Sequence, residues 1–277
     1  MHVISSISEM ISIRNNMLGS VGFVPTMGYL HHGHLSLMEA ARKQTDQVIA
    51  SIFVNPTQFG PGEDLDSYPR NFERDEKLAE EAGVDFIFYP DKASIYPEGY
   101  ASYVIPEGLN QHLCGAKRPG HFRGVMTVVL KLFNIVRPTD AYFGQKDIQQ
   151  AHILEQMITD FHLPIQMHIE PIIREKDGLA MSSRNVYLNP DERKQSTCLS
   201  RAIRLVESRF KAGERDIDSL LIEAEKEIQR QPLSKIDYIE LVDYQTLAPV
   251  PRMSHRMVLA CAVYFGNTRL IDNTILE

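Results

Sequence analysis

Through the first two thirds of this chain, short apolar runs alternate with amphipathic helical stretches, and that alternation restricts the fold more than any other feature. "SVGFVPTMG" reads as a buried strand entering a turn, and "HLSLMEAARKQTD" then places apolar residues at helical spacing. "QVIASIFVNP" is a strand with a proline stop, "RNFERDEKLAEEAG" a helix closed by Gly83, and "VDFIFYP" the next strand. Further on, "GVMTVVLKLFNIVRP" is a helix stopped by Pro138, "DAYFGQ" a strand, "KDIQQAHILEQMITDFH" a helix and "IQMHIEPII" a strand. A first helix ending near Gly19 precedes the series. Strands and helices in strict alternation predict an α/β fold, a parallel sheet with helices on both faces.

The pattern changes between Arg174 and Asn185. Two amphipathic helices follow, "PDERKQSTCLSRAIRLVESRFKAG" and "DIDSLLIEAEKEIQRQ", and then strand-like "IDYIELVDYQ" and "MVLACAVYFGNTRLIDNTIL". Helices followed by paired strands predict a smaller α+β domain, so the expected division is 1–176 and 177–277. At 277 residues the chain is long enough for one large and one small core.

A net charge of −7 argues against nucleic acid as the partner, because phosphate-backbone binding normally leaves a basic stripe. Any anionic ligand must be held by local chemistry. Cys114, Cys198 and Cys261 are far apart and lack metal-ligand spacing, which suggests a reducing compartment. The amino terminus lacks a basic leader with an apolar core, and no later run approaches a membrane span. The expectation is a cytoplasmic protein with no membrane partner.

Three of the ten histidines lie within four positions in "VPTMGYLHHGH", where a strand hands over to a helix. There the helix start can offer backbone N–H groups and its positive dipole end to an anion, Gly28 and Gly33 permit close backbone approach, and His31 and His34 can donate to phosphate oxygens. A metal pair and a purely structural capping role are the competing readings of the same two rings. Four further stretches have the same character. "FVNPTQFGPGEDLDSYPR" puts the amides of Asn55 and Gln58 at the end of a strand, where open α/β sheets bind ligands. "KRPGHFRGV" offers Lys117, Arg118, His121 and Arg123 before a helix, as a second anion-facing loop or a solvated basic turn. "YFGQKDIQQAH" supplies Lys146, Asp147 and Gln150, and "DGLAMSSRN" supplies Ser182, Ser183 and Arg184, two hydroxyls and a guanidinium fork suited to phosphate. Asp75 in "RNFERDEKL" is either a Mg²⁺ contact or a solvated acid on a helix face.

Taken in order and at this spacing, "PTMGYLHHGH", "VNPTQF", "RPGHFRGV", "YFGQKDIQQ" and "DGLAMSSRN" closely resemble the pantothenate synthetase (pantoate–β-alanine ligase) family over most of the chain. The HxGH element alone belongs to a wider nucleotidylyltransferase superfamily, so a nucleotidylyltransferase acting on another small substrate is the alternative. His32 departs from the acid found there in many relatives. The resemblance implies a Rossmann-like amino-terminal domain and a smaller carboxy-terminal domain that closes over the active site, in a homodimer. It also implies a two-step, AMP-forming ligation of pantoate and β-alanine, with ATP as substrate and Mg²⁺ as companion. By the same resemblance, His34, His31, Lys146 and Arg184 are catalytic. Met27, Gly28, Gly33, Gly144, Gln145, Asp147, Ile173, Met181, Ser182 and Ser183 complete the ATP site. Gln58 and Gln150 hold pantoate with Asn55 beside them, Tyr68 lies nearer β-alanine, and Asp75 contacts Mg²⁺. The Asp177-Gly178 pair is a place where the chain can flex.

Overall fold

The computed structural model describes residues 1–253 and 255–277. In chain order its first elements are β1 (His2–Ile4), α1 (Ile7–Asn16), β2 (Val21–Thr26), α2 (His32–Gln44), β3 (Gln47–Ile52), α3 (Phe72–Glu81) and β4 (Phe86–Phe88). They are followed by α4 (Lys92–Ile95), α5 (Leu113–Lys117), α6 (His121–Val136), β5 (Asp140–Gly144), α7 (Ile148–Asp160) and β6 (Gln166–Glu170). The chain ends with α8 (Pro190–Ser196), α9 (Cys198–Lys211), α10 (Ile217–Gln229), β7 (Ser234–Asp243), β8 (Met257–Phe265) and β9 (Thr268–Leu276). It forms two compact units, 1–106 with 118–145 and 150–171, and 107–117 with 146–149 and 172–277.

The first unit carries a six-stranded sheet in the order β1-β4-β3-β2-β5-β6, every pair parallel. Successive residues of β2 face opposite layers, as the two-residue period requires. Val24 joins the cluster with Leu37, Met38 and Ala41 of α2, while Phe23 meets Phe133 of α6 edge-on at 6.3 Å. Helices therefore cover both faces, and β2 is buried on each, as the alternation predicts. Strand order reverses between β2 and β5, with β3 and β4 added on one side and β6 on the other. There the hydrogen-bonded register of β2 with β5 covers Gly22 and Phe23, while β2 stays paired with β3 as far as Thr26. Pro25, which has no N–H to give, lies in the part of β2 that has left β5. The carboxyl ends of these two strands thus flank a topological switch point, the usual ligand crevice of such sheets.

The second unit is an antiparallel sheet β7-β8-β9 with α9 and α10 on one face. β8 is apolar on both sides because both are covered. Leu259, Cys261 and Val263 pack with Leu199 and Ile203 of α9, whereas Val258, Ala260 and Ala262 pack with Leu113 of α5 and Ile148. This second cover draws 107–117 and 146–149 into the unit.

Besides the segments 107–117 and 146–149, which fall in the second unit, two elements depart from the sequence reading. β1 is a three-residue edge strand pairing with β4, too short to leave a periodic signal. The long helix expected after Asn189 is divided at Thr197, where Ser196 and Thr197 turn their hydroxyls back onto the carbonyls of Arg193 and Lys194 and compete with the helical ladder. Among the described residues, no helix is long and apolar enough to cross a membrane.

Candidate active site

In the first unit the histidine loop leaves β2 through two consecutive left-handed residues, Gly28 (φ 80°) and Tyr29 (φ 51°). The second is uncommon for a residue with a side chain, so something must hold it there. Asp75, on the first turn of α3 and 1 % exposed, accepts Tyr29 N–H at 2.6 Å and Leu30 N–H at 2.7 Å. Burial raises its pKa, against the opposing pull of these two amides and Arg74.

His31 then caps α2. Its Nδ1 accepts Gly33 N–H at 3.1 Å, and Nδ1 of His34 accepts His31 N–H at 3.4 Å, a reciprocal capping box built from two imidazoles. Because backbone amides can only donate, both Nδ1 atoms are acceptors, and in each neutral ring the proton sits on Nε2. The rings stack with centroids 4.0 Å apart, so the two Nε2–H donors belong to one rigid pair. This corrects one expectation. The amides of Gly28, Tyr29, Leu30, His31 and Gly33 all find acceptors inside the protein, so these five are not open donors, and the loop's remaining positive features include the ring N–H groups and the helix dipole.

Beyond β3, Asn55 caps the turn Pro56–Gln58 and is 1 % exposed. It donates to Gln58 Oε1 at 2.9 Å, and Gln58 Nε2 faces Met27 Sδ at 3.2 Å. Met27 of the histidine loop and the Asn55–Gln58 pair of the next motif therefore meet around the Gln58 amide. Gly144 and Gln145 lie at the end of β5, the neighbour of β2 across the switch point. Tyr68 is buried edge-on against Phe59, and Gln150 is half-buried near the start of α7.

The basic stretch before α6 is a clamp on this turn. His121 Nδ1 lies 2.8 Å from the Gln58 carbonyl and donates to it, and Arg118 Nη2 donates to the same oxygen at 3.3 Å. Arg118 is itself held by Glu63, Nε to Oε1 at 2.7 Å and Nη2 to Oε2 at 2.5 Å. Burial alone would raise the Glu63 carboxyl, but the Arg118 guanidinium overrides it and holds the pKa at about 2. A depressed carboxyl pKa adds stability that is complete above the unfolded value and disappears as pH falls through the folded one. Glu63→Gln is accordingly expected to lower the urea midpoint at pH 7 and to approach the parent as pH falls from about 4.5 towards 2. Urea unfolding at pH 7 and pH 3 checks this, and a constant difference would remove the ion pair from the account.

In the second unit, Lys146 pairs with Asp147 at 3.2 Å, and its carbonyl accepts from Asn273 Nδ2 of β9 at 2.9 Å. Met181 N–H donates to the Ile173 carbonyl at 3.0 Å, bringing two expected residues side by side. Ser182 caps the turn Ser183–Tyr187 by accepting Arg184 N–H, and Asn185 ties that turn to Glu175 and the Ala180 carbonyl. The Asp177-Gly178 pair lies in a turn bonded from Glu175 N–H to the Leu179 carbonyl, with Asp177 on Arg193 and neighbouring Arg174 on the buried Asp272. Asn273, Asn185 and Tyr96, which donates to Asn55, were not visible as site residues in the sequence. Tyr96 and Asn273 have partners 41 and 127 positions away, so nothing local marks them, whereas Asn185 bonds to groups ten and five positions back.

Among the described residues, no group of three or more His, Cys, Asp or Glu is placed to hold a metal. The two rings of the histidine loop also have their Nδ1 atoms occupied by amides.

A profile of the family described as pantoate-beta-alanine ligase matches residues 2–275. A pantothenate synthetase of Thermotoga petrophila is 52 % identical over 279 aligned positions, covering 100 % of both chains. The crystal structure of pantothenate synthetase from Thermus thermophilus superposes with a TM-score of 0.95 at 44 % identity, covering 99 % of each chain. The Francisella tularensis pantoate-beta-alanine ligase, solved in complex with beta-gamma ATP and beta-alanine, gives a TM-score of 0.82 at 34 % identity, covering 100 % of this chain and 98 % of that one. With a match across nearly every residue and the same two-sheet architecture, the chain belongs to the pantoate–β-alanine ligase family.

Proposed function

We propose that the chain condenses pantoate with β-alanine at the expense of ATP, through pantoyl adenylate, and that the motif residues take the roles their chemistry suits. The observation that carries this reading is the stacked pair of Nε2–H donors beside the switch point, with the Gln58 amide reached through Met27.

In the first step a pantoate carboxylate oxygen bonds to the α-phosphorus of ATP while the bond from that phosphorus to the β-bridging oxygen breaks and pyrophosphate departs. The nucleophile is already an anion, so no side chain need become covalent. Alignment and charge stabilisation are what the step requires. His31 and His34 donate to the phosphates, with His34 the proton donor. Lys146 and Arg184 neutralise charge, Ser182 and Ser183 supply hydroxyls, and Met27, Gly28, Gly33, Gly144, Gln145, Asp147, Ile173 and Met181 complete nucleotide binding. Gln58 and Gln150 hold pantoate, and Tyr68 serves the β-alanine end. In the second step the free amine of β-alanine bonds to the acyl carbon, the bond from that carbon to AMP breaks, and the nitrogen loses a proton.

Mg²⁺ enters with the triphosphate as part of the substrate, a common arrangement when few carboxylates are offered. Asp75 holds the loop through one backbone amide on each oxygen, and the carboxylate keeps further lone pairs with which it would contact the ion. We place the enzyme in the cytoplasm as a homodimer, a reading supported by the family resemblance and by its unpaired cysteines.

The test is pyrophosphate and AMP release from purified protein with ATP, Mg²⁺ and pantoate, with and without β-alanine. Pantoate-dependent pyrophosphate release, with AMP turnover only when β-alanine is added, is expected. Pyrophosphate release without pantoate would point to transfer onto another substrate.

A further inference from the structure

Asn55 sits among groups whose hydrogen-bonding polarity is fixed. Its Nδ2 faces the Gly124 carbonyl at 3.1 Å, which can only accept, and its Oδ1 faces Thr57 N–H at 3.4 Å, which can only donate. The Thr57 and Tyr96 hydroxyls, each 2.9 Å from Oδ1, add two further donors to that side. The Asn55 amide therefore has one permitted orientation, since a flip would set like against like at a site that is 1 % exposed. With Nδ2 committed towards Gln58, the next amide is fixed as well. Gln58 must turn Oε1 inward to accept at 2.9 Å and Nε2 outward to donate. What Nε2 meets is Met27 Sδ at 3.2 Å, a weak acceptor that an oxygen can displace.

We propose that Tyr96 and Asn55 are positioning residues that relay backbone polarity to Gln58, so that Gln58 presents its N–H₂ to pantoate and takes an acceptor oxygen there, of which the ionised carboxylate is the strongest. This rests on the reading that Gln58 holds pantoate. Tyr96 lies outside every motif, at the end of α4, with its ring between Phe53 and Tyr100 and Lys131 over its face at 5.5 Å. Burial pushes its hydroxyl up to about 12, so it remains a donor throughout the working range. A donor-only face also suits the chemistry. One neutral N–H₂ orients the attacking carboxylate without the salt bridge that would blunt it.

The test compares Gln58→Ala, Gln58→Glu and Tyr96→Phe by the KM for pantoate, the KM for ATP and kcat, with thermal melts to confirm folding. Gln58→Ala is expected to raise the pantoate KM about tenfold with the ATP KM unchanged. Gln58→Glu keeps the inward acceptor but sets a carboxylate against the pantoate carboxylate, so its pantoate KM should rise a further tenfold or more beyond the alanine variant. Tyr96→Phe leaves Asn55 with its Thr57 donors, and a two- to fivefold rise in pantoate KM alone is expected. If Gln58→Ala leaves pantoate KM unchanged, the assignment of Gln58 to pantoate is wrong and the relay has no object. If Gln58→Ala weakens pantoate but Gln58→Glu restores it, Gln58 does bind pantoate but presents its oxygen, and the relay alone is overturned. Tyr96→Phe that changes melting temperature but no KM would assign Tyr96 a structural role.

Discussion

His34→Ala is expected to slow pantoate-dependent pyrophosphate release by about two to three orders of magnitude while the protein folds normally, the usual cost of deleting one preorganised donor. The fold should tolerate it because His34 contributes the weaker half of the capping box, at 3.4 Å, and His31 still caps Gly33 N–H at 3.1 Å. His31 has two duties that can be separated. His31→Asn keeps an N-cap side chain of the most favoured kind but removes the ring, so the melting temperature should hold while the rate falls as for His34. His31→Ala loses both, and a further loss of about 1 kcal/mol of stability is expected. Single-turnover pyrophosphate release with parallel thermal melts checks all three. Near-normal adenylation by folded His34→Ala would exclude that ring from the chemistry.

The architecture was legible wherever a short period repeats. Val24 and Phe23 fall on opposite faces of β2 because neighbours in a strand must, and α2 follows because Leu37, Met38 and Ala41 share one side of a helix. β1 has three residues and no period to read. The membership of 107–117 in the second unit was invisible for another reason. Leu113 meets Val258 and Ala260 through chain-distant burial, and the amphipathic signal of a five-residue helix does not say which sheet it covers.

The candidate site divides in the same way. Motif side chains such as His31, His34 and Gln58 announce themselves by type and by position at strand ends. Their orientation does not, because it is set from far along the chain. Asn273 holds the Lys146 carbonyl across 127 positions, and Tyr96 reaches Asn55 across 41. Tyr29, Leu30, His31 and Gly33 do not keep their amides open, as the loop's glycine-rich sequence suggested, because Asp75, 45 and 46 positions away, accepts from two of them and the histidine rings from two more. Donor inventories can be read from sequence, whereas their satisfaction requires the fold.

Gly124→Ala shows why helix propensity misleads at this site. In an isolated helix the change gains about 1 kcal/mol. In α6 the added Cβ would stand 2.3 Å from the Thr57 carbonyl oxygen and 2.6 Å from Gln58 Cα, and both are backbone atoms with no rotamer to yield. The helix is anchored by buried Phe122, Val125 and Val129, so the turn carrying Asn55 and Gln58 has to move instead. Overpacking of this kind costs about 1–3 kcal/mol, so net stability should fall only modestly after the propensity gain is subtracted. Turnover should suffer far more, because a shift of about 1 Å in a positioning group costs about 100-fold in rate. The Asn55 bond to the Gly124 carbonyl and the His121 bond to the Gln58 carbonyl would be disturbed together, so the loss should appear in kcat/KM for pantoate while ATP binding to the folded variant changes little. Gly60→Ala is the matched control in the same loop, since its Cβ would meet nothing nearer than Glu63 at 3.7 Å, an ordinary contact. If Gly124→Ala retains parental kcat/KM for pantoate, the turn yields without consequence, and the position of Gln58 is not set by the close approach of α6.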